Sequence, residues 1–251
     1  MKYFLIVFLI VTGNVFAKNI EQTEITTDDG IEVFQNEKYY LLKKNVIIKS
    51  PSFTLTADLV KAFFDKDLYD VTKIESEGNS KLTSQKNIQA IGDTINFSLK
   101  DDEILILGKK SSLIYVDIKM YSNESIHVIN KTGEFFINGD KSKLKTNKIE
   151  IMGDKIDGKY NSKENFNDIE KLFVQDKEIA NIITETMNLF SKKATYNKET
   201  NIIELFEKVK IIRENEVITG DYAEINTERN SYKIKSNNNN KVKALIINNN
   251  E

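Results

Sequence analysis

Residues 201–235 read NIIELFEKVKIIRENEVITGDYAEINTERNSYKIK, and this stretch constrains the fold more than any other. Ile203, Leu205, Val209 and Ile211 alternate with polar residues, with one shift at 206–208. A polar turn at 213–216 follows, then Val217, Thr219, Asp221, Ala223 and Ile225 alternate with their neighbours. A period of two places successive side chains on opposite faces, which is strand geometry and not helix geometry. The stretch therefore predicts two long antiparallel strands and the start of a third. With one proline in 251 residues, the turns fall to Asn, Asp, Gly and Ser.

The same pattern recurs. Tyr40 to Asp58 and Phe136 to Asp154 each span 18 residues, while Ile74 to Asp93 and Ile202 to Asp221 each span 19. Each time a strand enters, turns, and meets a small residue plus an acid: Ala57-Asp58, Gly92-Asp93, Gly153-Asp154 and Gly220-Asp221. Units of about 30–35 residues are the signature of stacked supersecondary repeats. Here the units are β, so the residues point to a sandwich, a roll or a β-solenoid with one continuous apolar interior.

Strands are expected at 23–27, 30–35, Tyr39–Lys49, Phe53–Phe64, 74–82, 87–99, 103–108, 111–120, 125–130, 134–138, 144–152, 155–160, 169–175 and 241–247. Gly139-Asp140 is read as a turn, and 65–70 and 161–168 as polar loops. Residues 177–190 suit a strand in context, with a short helix through Ile179, Ile182 and Ile183 as the alternative. Gly78, Gly92, Gly153 and Gly220 read as bulges or tight bends.

Composition excludes several chemistries. There is no cysteine, so thiol catalysis, Cys-ligated zinc and disulfides are out. One histidine, His127, precludes a His-rich metal site, and its place on the alternating SIHVIN strand suits packing or the surface. The 38 acids and 36 bases nearly cancel, which gives no general electrostatic reason to bind nucleic acid. Asp58, Asp93, Asp154 and Asp221 are spread along a stack, whereas catalytic carboxylates converge on one site. They are read as structural contacts to backbone N–H groups, with no catalytic residue, metal or cofactor assigned. Lys109, Lys110 and the run 141–145 read as solvated strand ends that could touch an anionic head group.

At the N-terminus, Lys2 precedes the apolar run 3–11, and Val15 and Ala17 occupy small-residue positions ahead of Lys18. This is the pattern of a secretory signal peptide, 1–17, cleaved after Ala17. The run is shorter than the roughly 20 residues a spanning helix needs. At the other extreme, the end segments 31–35 and 241–247 carry little of the charge and proline that normally blunt unpaired strands, which points to partners by strand addition.

Residues 45–64, NVIIKSPSFTLTADLVKAFF, resemble the hallmark of the OstA-like lipopolysaccharide-transport proteins: an Asn-Val strand, a turn, then an alternating strand with Ala-Asp. Residues 217–226, VITGDYAEIN, and 241–246, KVKALI, resemble the closing strands of the periplasmic bridge component of that family, and DGIEV at 29–33 fits its head. Lys44 stands where a glycine usually precedes Asn-Val, and Glu207-Lys208 occupy the corresponding place in the last unit. The resemblance covers about 20–110 and 194–247, with 111–193 as extra units within one domain, 18–251.

It implies an all-β, open-ended, twisted antiparallel β-roll of jellyroll type in the periplasm. It further implies a non-enzymatic carrier that holds lipopolysaccharide acyl chains in its interior. Val46, Ile48, Phe53, Leu55, Phe97, Leu99, Ile211 and Ile218 are the expected lining. Ile31, Val33, Val242 and Leu245 are the expected end-strand contacts, to an inner-membrane anchor, an outer-membrane translocon or further copies of itself. A membrane-anchored sister component of the same pathway, or a dry structural or adhesive β-solenoid, are the alternatives.

Overall fold

The structure is a computed structural model that describes residues 23–66, 70–85, 87–161, 169–237 and 240–246. The expected signal peptide, 1–17, lies outside the described residues, as do parts of the loops at 65–70 and 161–168 and the chain end after Ile246.

Eighteen strands follow in order: β1 (Glu24–Thr26), β2 (Ile31–Phe34), β3 (Tyr39–Lys49), β4 (Phe53–Phe64), β5 (Val71–Ser84), β6 (Ile88–Ser98), β7 (Glu103–Leu107), β8 (Ser111–Tyr115), β9 (Ile118–Ser122), β10 (Ser125–Ile129), β11 (Glu134–Lys145), β12 (Ile149–Tyr160), β13 (Ile169–Thr184), β14 (Asn188–Asn197), β15 (Ile202–Arg213), β16 (Glu216–Asn226), β17 (Ser231–Lys235) and β18 (Lys243–Ile246). Every pairing is antiparallel, and the described residues contain no helix. The fold is an all-β, open-ended antiparallel roll.

The long strands do not run straight. Register shifts interrupt the ladders at 43/46, 56/59, 77/80, 138/142, 152/155, 175/180, 190/193 and 206/209. Each shift is a bulge where the strand bends. One half of each strand then pairs in a first layer and the other half in a second. The first layer runs β2, β3, β4, β5, β6, β7, β10 and on through β11–β17. The second runs β1, β3–β6, β8, β9, β11–β16 and β18. The short strands β7/β8 and β9/β10 are long strands whose bend is wider. The described residues thus form fourteen strand segments in each layer, joined along one crease.

Local chemistry explains the bends. The bends of β3, β5, β11 and β15 pass through left-handed residues: Lys44 and Asn45 (φ 62° and 48°), Gly78 and Asn79 (75° and 49°), Gly139 and Lys141 (126° and 59°), and Glu207 and Lys208 (61° and 54°). Gly108, at φ 131°, does the same between β7 and β8. Strands β4, β6, β12 and β16 carry the small-plus-acid pair instead. Gly92, Gly153 and Gly220 sit where the neighbouring strand's apolar residue crosses the crease. A Cβ there would stand 2.6 Å from Ile106, 2.9 Å from Val174 and 2.5 Å from Ile234. These three glycines are thus required by close approach, while Gly78 is the true bulge.

Four expectations change. Residues 111–120 form a hairpin and not one strand, because the chain reverses at Val116-Asp117, where β-branched Val116 masks the turn chemistry of Asp117. Residues 144–152 also divide. Thr146 Oγ1 accepts the N–H groups of Lys148 and Ile149, both at 3.2 Å, and turns β11 into β12. Gly139-Asp140, read as a turn, is instead the bend inside β11. Residues 177–190, expected as one strand, contain no helix but are two strands, the end of β13 and the start of β14 with a turn at 185–187 between them, and Asp176 Oδ1 accepts the Glu178 N–H (2.7 Å) and the Ile179 N–H (2.9 Å) at the β13 bend.

Candidate functional site

The interior is built from three uninterrupted cross-strand ladders, each fourteen residues long. In the second layer, one runs from Ile25↔Ile48 through Met120↔Leu144 to Ile218↔Ala244, and every member is apolar. In the first layer, one runs from Ile31↔Leu42 through Ile126↔Ile137 to Ala223↔Ile234, with Ser76 its single polar member. A parallel one runs from Val33↔Tyr40 through Phe135↔Gly158 to Ile225↔Tyr232. At about 4.8 Å between strands, each ladder is an apolar tract of about 60 Å. Buried side chains of both layers belong to one core cluster.

Alternation alone makes this possible. Each inward residue is followed by an outward one, so a strand such as EILIL at β7 supplies Ile104 and Ile106 to the interior. The central strands supply fully buried members, including Ile126, Ile137, Leu144 and Ile151, all at 0% exposure. The expected lining omitted them, although the alternation in SIHVI and KLK marked them. The ladders run through 111–193 without a break.

The expected lining residues fall in two classes. Val46, Ile48, Leu55, Ile211 and Ile218 are buried in the second layer. Phe53 and Phe97 are partly buried and pack against the core from opposite layers. Their rings meet edge-on at 5.6 Å. Leu99 is corrected: it lies past the end of β6 and is 45% exposed, because the β6–β7 turn carries it beyond the last covered position.

Among the described residues, nothing caps either end of the roll. Ile31 and Val33 stand opposite Leu42 and Tyr40 and so share their inward face, yet they are 48% and 44% exposed. At the other end Ile246 is 70% exposed. Leu245, opposite Val217, is on the outer face at 51%, and Val242 precedes β18 and is 44% exposed.

The four repeated acids are bound at separate bends. Asp93 Oδ2 accepts the Lys109 N–H (3.3 Å), Asp154 Oδ2 the Lys177 N–H (3.0 Å) and Asp221 Oδ2 the Asn237 N–H (2.8 Å). Asp58 Oδ2 accepts from the Asn79 side-chain amide at 2.8 Å. Each acid pins the bend of the following strand. Asn123 holds the corresponding place beside Gly139, an amide where the other bends have an acid. Crease serines work alongside: Ser111 and Ser142 donate to the carbonyls of Gly108 (2.9 Å) and Gly139 (2.7 Å).

His127 is on the outer face, 2.5 Å from Glu103, with its ring tilted against that of Phe136 at 5.7 Å. Among the described residues no group of acids and histidine is arranged to hold a metal. Burial and the Glu204 hydrogen bond (2.7 Å) push Tyr222 up to about 12. Burial likewise raises Tyr160, whose hydroxyl donates to Asn130 at 2.8 Å. Hydrogen bonds from Lys143 and Lys145 hold Glu150 below the usual carboxylate range. No described helix is long and apolar enough to cross a membrane.

Two cavities, of about 450 and 740 Å³, lie on the outer surface, beside Lys110 and Lys141 and beside Phe206 and Tyr222 respectively. No family model and no curated protein matches the chain. Among solved structures, it is similar to LptH from Pseudomonas aeruginosa, described as the LptA-homologous periplasmic component of the lipopolysaccharide transport device. The identity is 13%, over 52% of this chain and 95% of that chain, with a TM-score of 0.44.

Proposed function

We propose that this protein carries lipopolysaccharide through the periplasm, its acyl chains lodged between the two layers and its end strands joined to other envelope components. The observation that carries the reading is the set of three apolar ladders reaching the first and last described strands. An apolar tract with no polar stop offers no fixed register, so a lipid can slide along it. Each CH₂ removed from water contributes about 0.8 kcal/mol, which is ample for several acyl chains. The Asn-Val and Ala-Asp segments of β3 and β4 supply the family resemblance that names the lipid.

The layers are joined at the crease and meet at the opposite rim through side chains such as Phe53 and Phe97. Lipid entry parts them there. The end strands β1 and β2, and β17 and β18, add strands from an inner-membrane anchor, an outer-membrane translocon or a second copy. Transport of this kind needs no bond chemistry, in keeping with acids that are committed to the bends.

A second reading has its own support. The ladder residues are so fully buried that the interior is filled by its own side chains, as in a dry structural roll. One experiment separates them: a photocrosslinker placed at Ile151 or Ile211 in the full chain, expressed in its native envelope. Crosslinking to lipopolysaccharide at both sites, and lipid retained on purification, is expected of the carrier. A protein that never retains or crosslinks lipid leaves the structural roll.

A further inference from the structure

The outer faces of the two layers differ in charge. In the second layer the two outward ladders carry seven lysines, Lys49, Lys81, Lys119, Lys143, Lys145, Lys210 and Lys243, against two acids, Glu24 and Glu150. The corresponding two ladders of the first layer hold six lysines and six acids. The chain as a whole is slightly acidic, so the basic face reflects placement and not composition.

The centre of this face is β8, β9 and β11. Lys119 stands directly opposite Lys145, a like-charge pair that costs stability in a sheet. Glu150 pairs with Lys143 and Lys145, leaving Lys119 without an ion pair among the described residues. Lys110 and Lys141 line the cavity beside them, together with Tyr121.

Exposed apolar groups share the same face. Ile91 and Tyr121 point outward at 43% and 36% exposure. Val116 tips the β8–β9 hairpin at 55% exposure and φ 48°. A β-branched residue in that left-handed conformation is strained, and a local rule broken at an exposed tip points to use. Lysines around exposed apolar and aromatic groups make up the chemistry of peripheral membrane contact: cations meet head-group phosphates and apolar tips enter the interface.

We infer that the outer face of the second layer, centred on β8 and β9, docks on an anionic phospholipid surface. The assignment is independent of what the interior carries. It is tested with the full chain and vesicles of phosphatidylcholine containing phosphatidylglycerol, by co-sedimentation at low and high salt. Wild type binds, and raised salt releases it. The triple variant Lys110→Gln, Lys119→Gln, Lys145→Gln binds about tenfold or more weakly, since each lysine near such a surface contributes separately. Val116→Asn suits the left-handed turn, so it keeps or raises stability while weakening vesicle binding. Wild type that ignores these vesicles, or a triple variant that binds as wild type does, overturns the assignment. Interior crosslinking of lipid in the same triple variant stays unchanged.

Discussion

Phe53 of β4 and Phe97 of β6 come from different layers and meet edge-on, ring centroids 5.6 Å apart and planes at 84°. This contact closes the rim across from the crease near the N-terminal end. An edge-to-face aromatic pair contributes about 0.5–1.5 kcal/mol beyond area burial. A double-mutant cycle over Phe53→Ala and Phe97→Ala in urea should return a coupling in that range. Phe97→Ala alone should cost about 2 kcal/mol and speed uptake of an apolar dye. An uptake rate equal to wild type would show that the rim is not closed here.

Non-glycine residues at the bends are a second lever. Lys44, Glu207 and Lys208 hold left-handed backbone, which costs an L-residue roughly 1–2 kcal/mol. Lys208→Gly should therefore stabilise by about 0.5–1 kcal/mol after its larger chain entropy is offset. Gly108→Ala should do the reverse, by about 2 kcal/mol or more. There the φ of 131° is joined by a clash with the Asp93 carboxylate. Urea midpoints moving in the same direction for both would sink the account.

The bend acids predict loss of stability and not of turnover. Asp221→Ala removes the acceptor for the Asn237 N–H and the Asn240 side chain, at the bend leading from β17 toward β18. A cost of about 1–2 kcal/mol is expected. Hydrogen exchange should rise first at Asn237 and in β18.

Two titrations have opposite signs. Glu150 is held below its ordinary value by hydrogen bonds from Lys143 and Lys145. Its contribution is present above the ordinary Glu range and is lost as pH falls through the lowered folded value. The pair is partly exposed, so Glu150→Gln should cost only about 0.5 kcal/mol at pH 7 and nothing in strong acid. Tyr222 is raised by burial and by its bond to Glu204. Its proton favours the fold, so that stability is whole below pH 10 and lost as pH rises from 10 to about 12. Tyr222→Phe should flatten this alkaline loss, read from thermal melts across that range.

Much of the roll was legible locally. Tyr39–Lys49 and Phe53–Phe64 are strands with the bounds that alternation implied. The shift noticed at 206–208 in the sequence is the β15 bend itself. The alternation could not say that Val116-Asp117 reverses the chain, because Val116 is β-branched and suits a strand, and Asp117 alone does not mark a turn; pairing of β8 with β9 imposes it. Nor could it place Leu99 outside the interior, since exposure at a hairpin tip depends on what the opposite layer covers.

By itself the sequence determined which side chains share a face and that small-plus-acid pairs recur, because a period of two is a property of neighbouring residues. The tertiary structure decided which face is inward, where each strand crosses the crease, and that the inward residues join into ladders spanning fourteen segments. Those are non-local matters. A residue is interior only when another layer removes its surface from water, and a bend is needed only where two layers must meet.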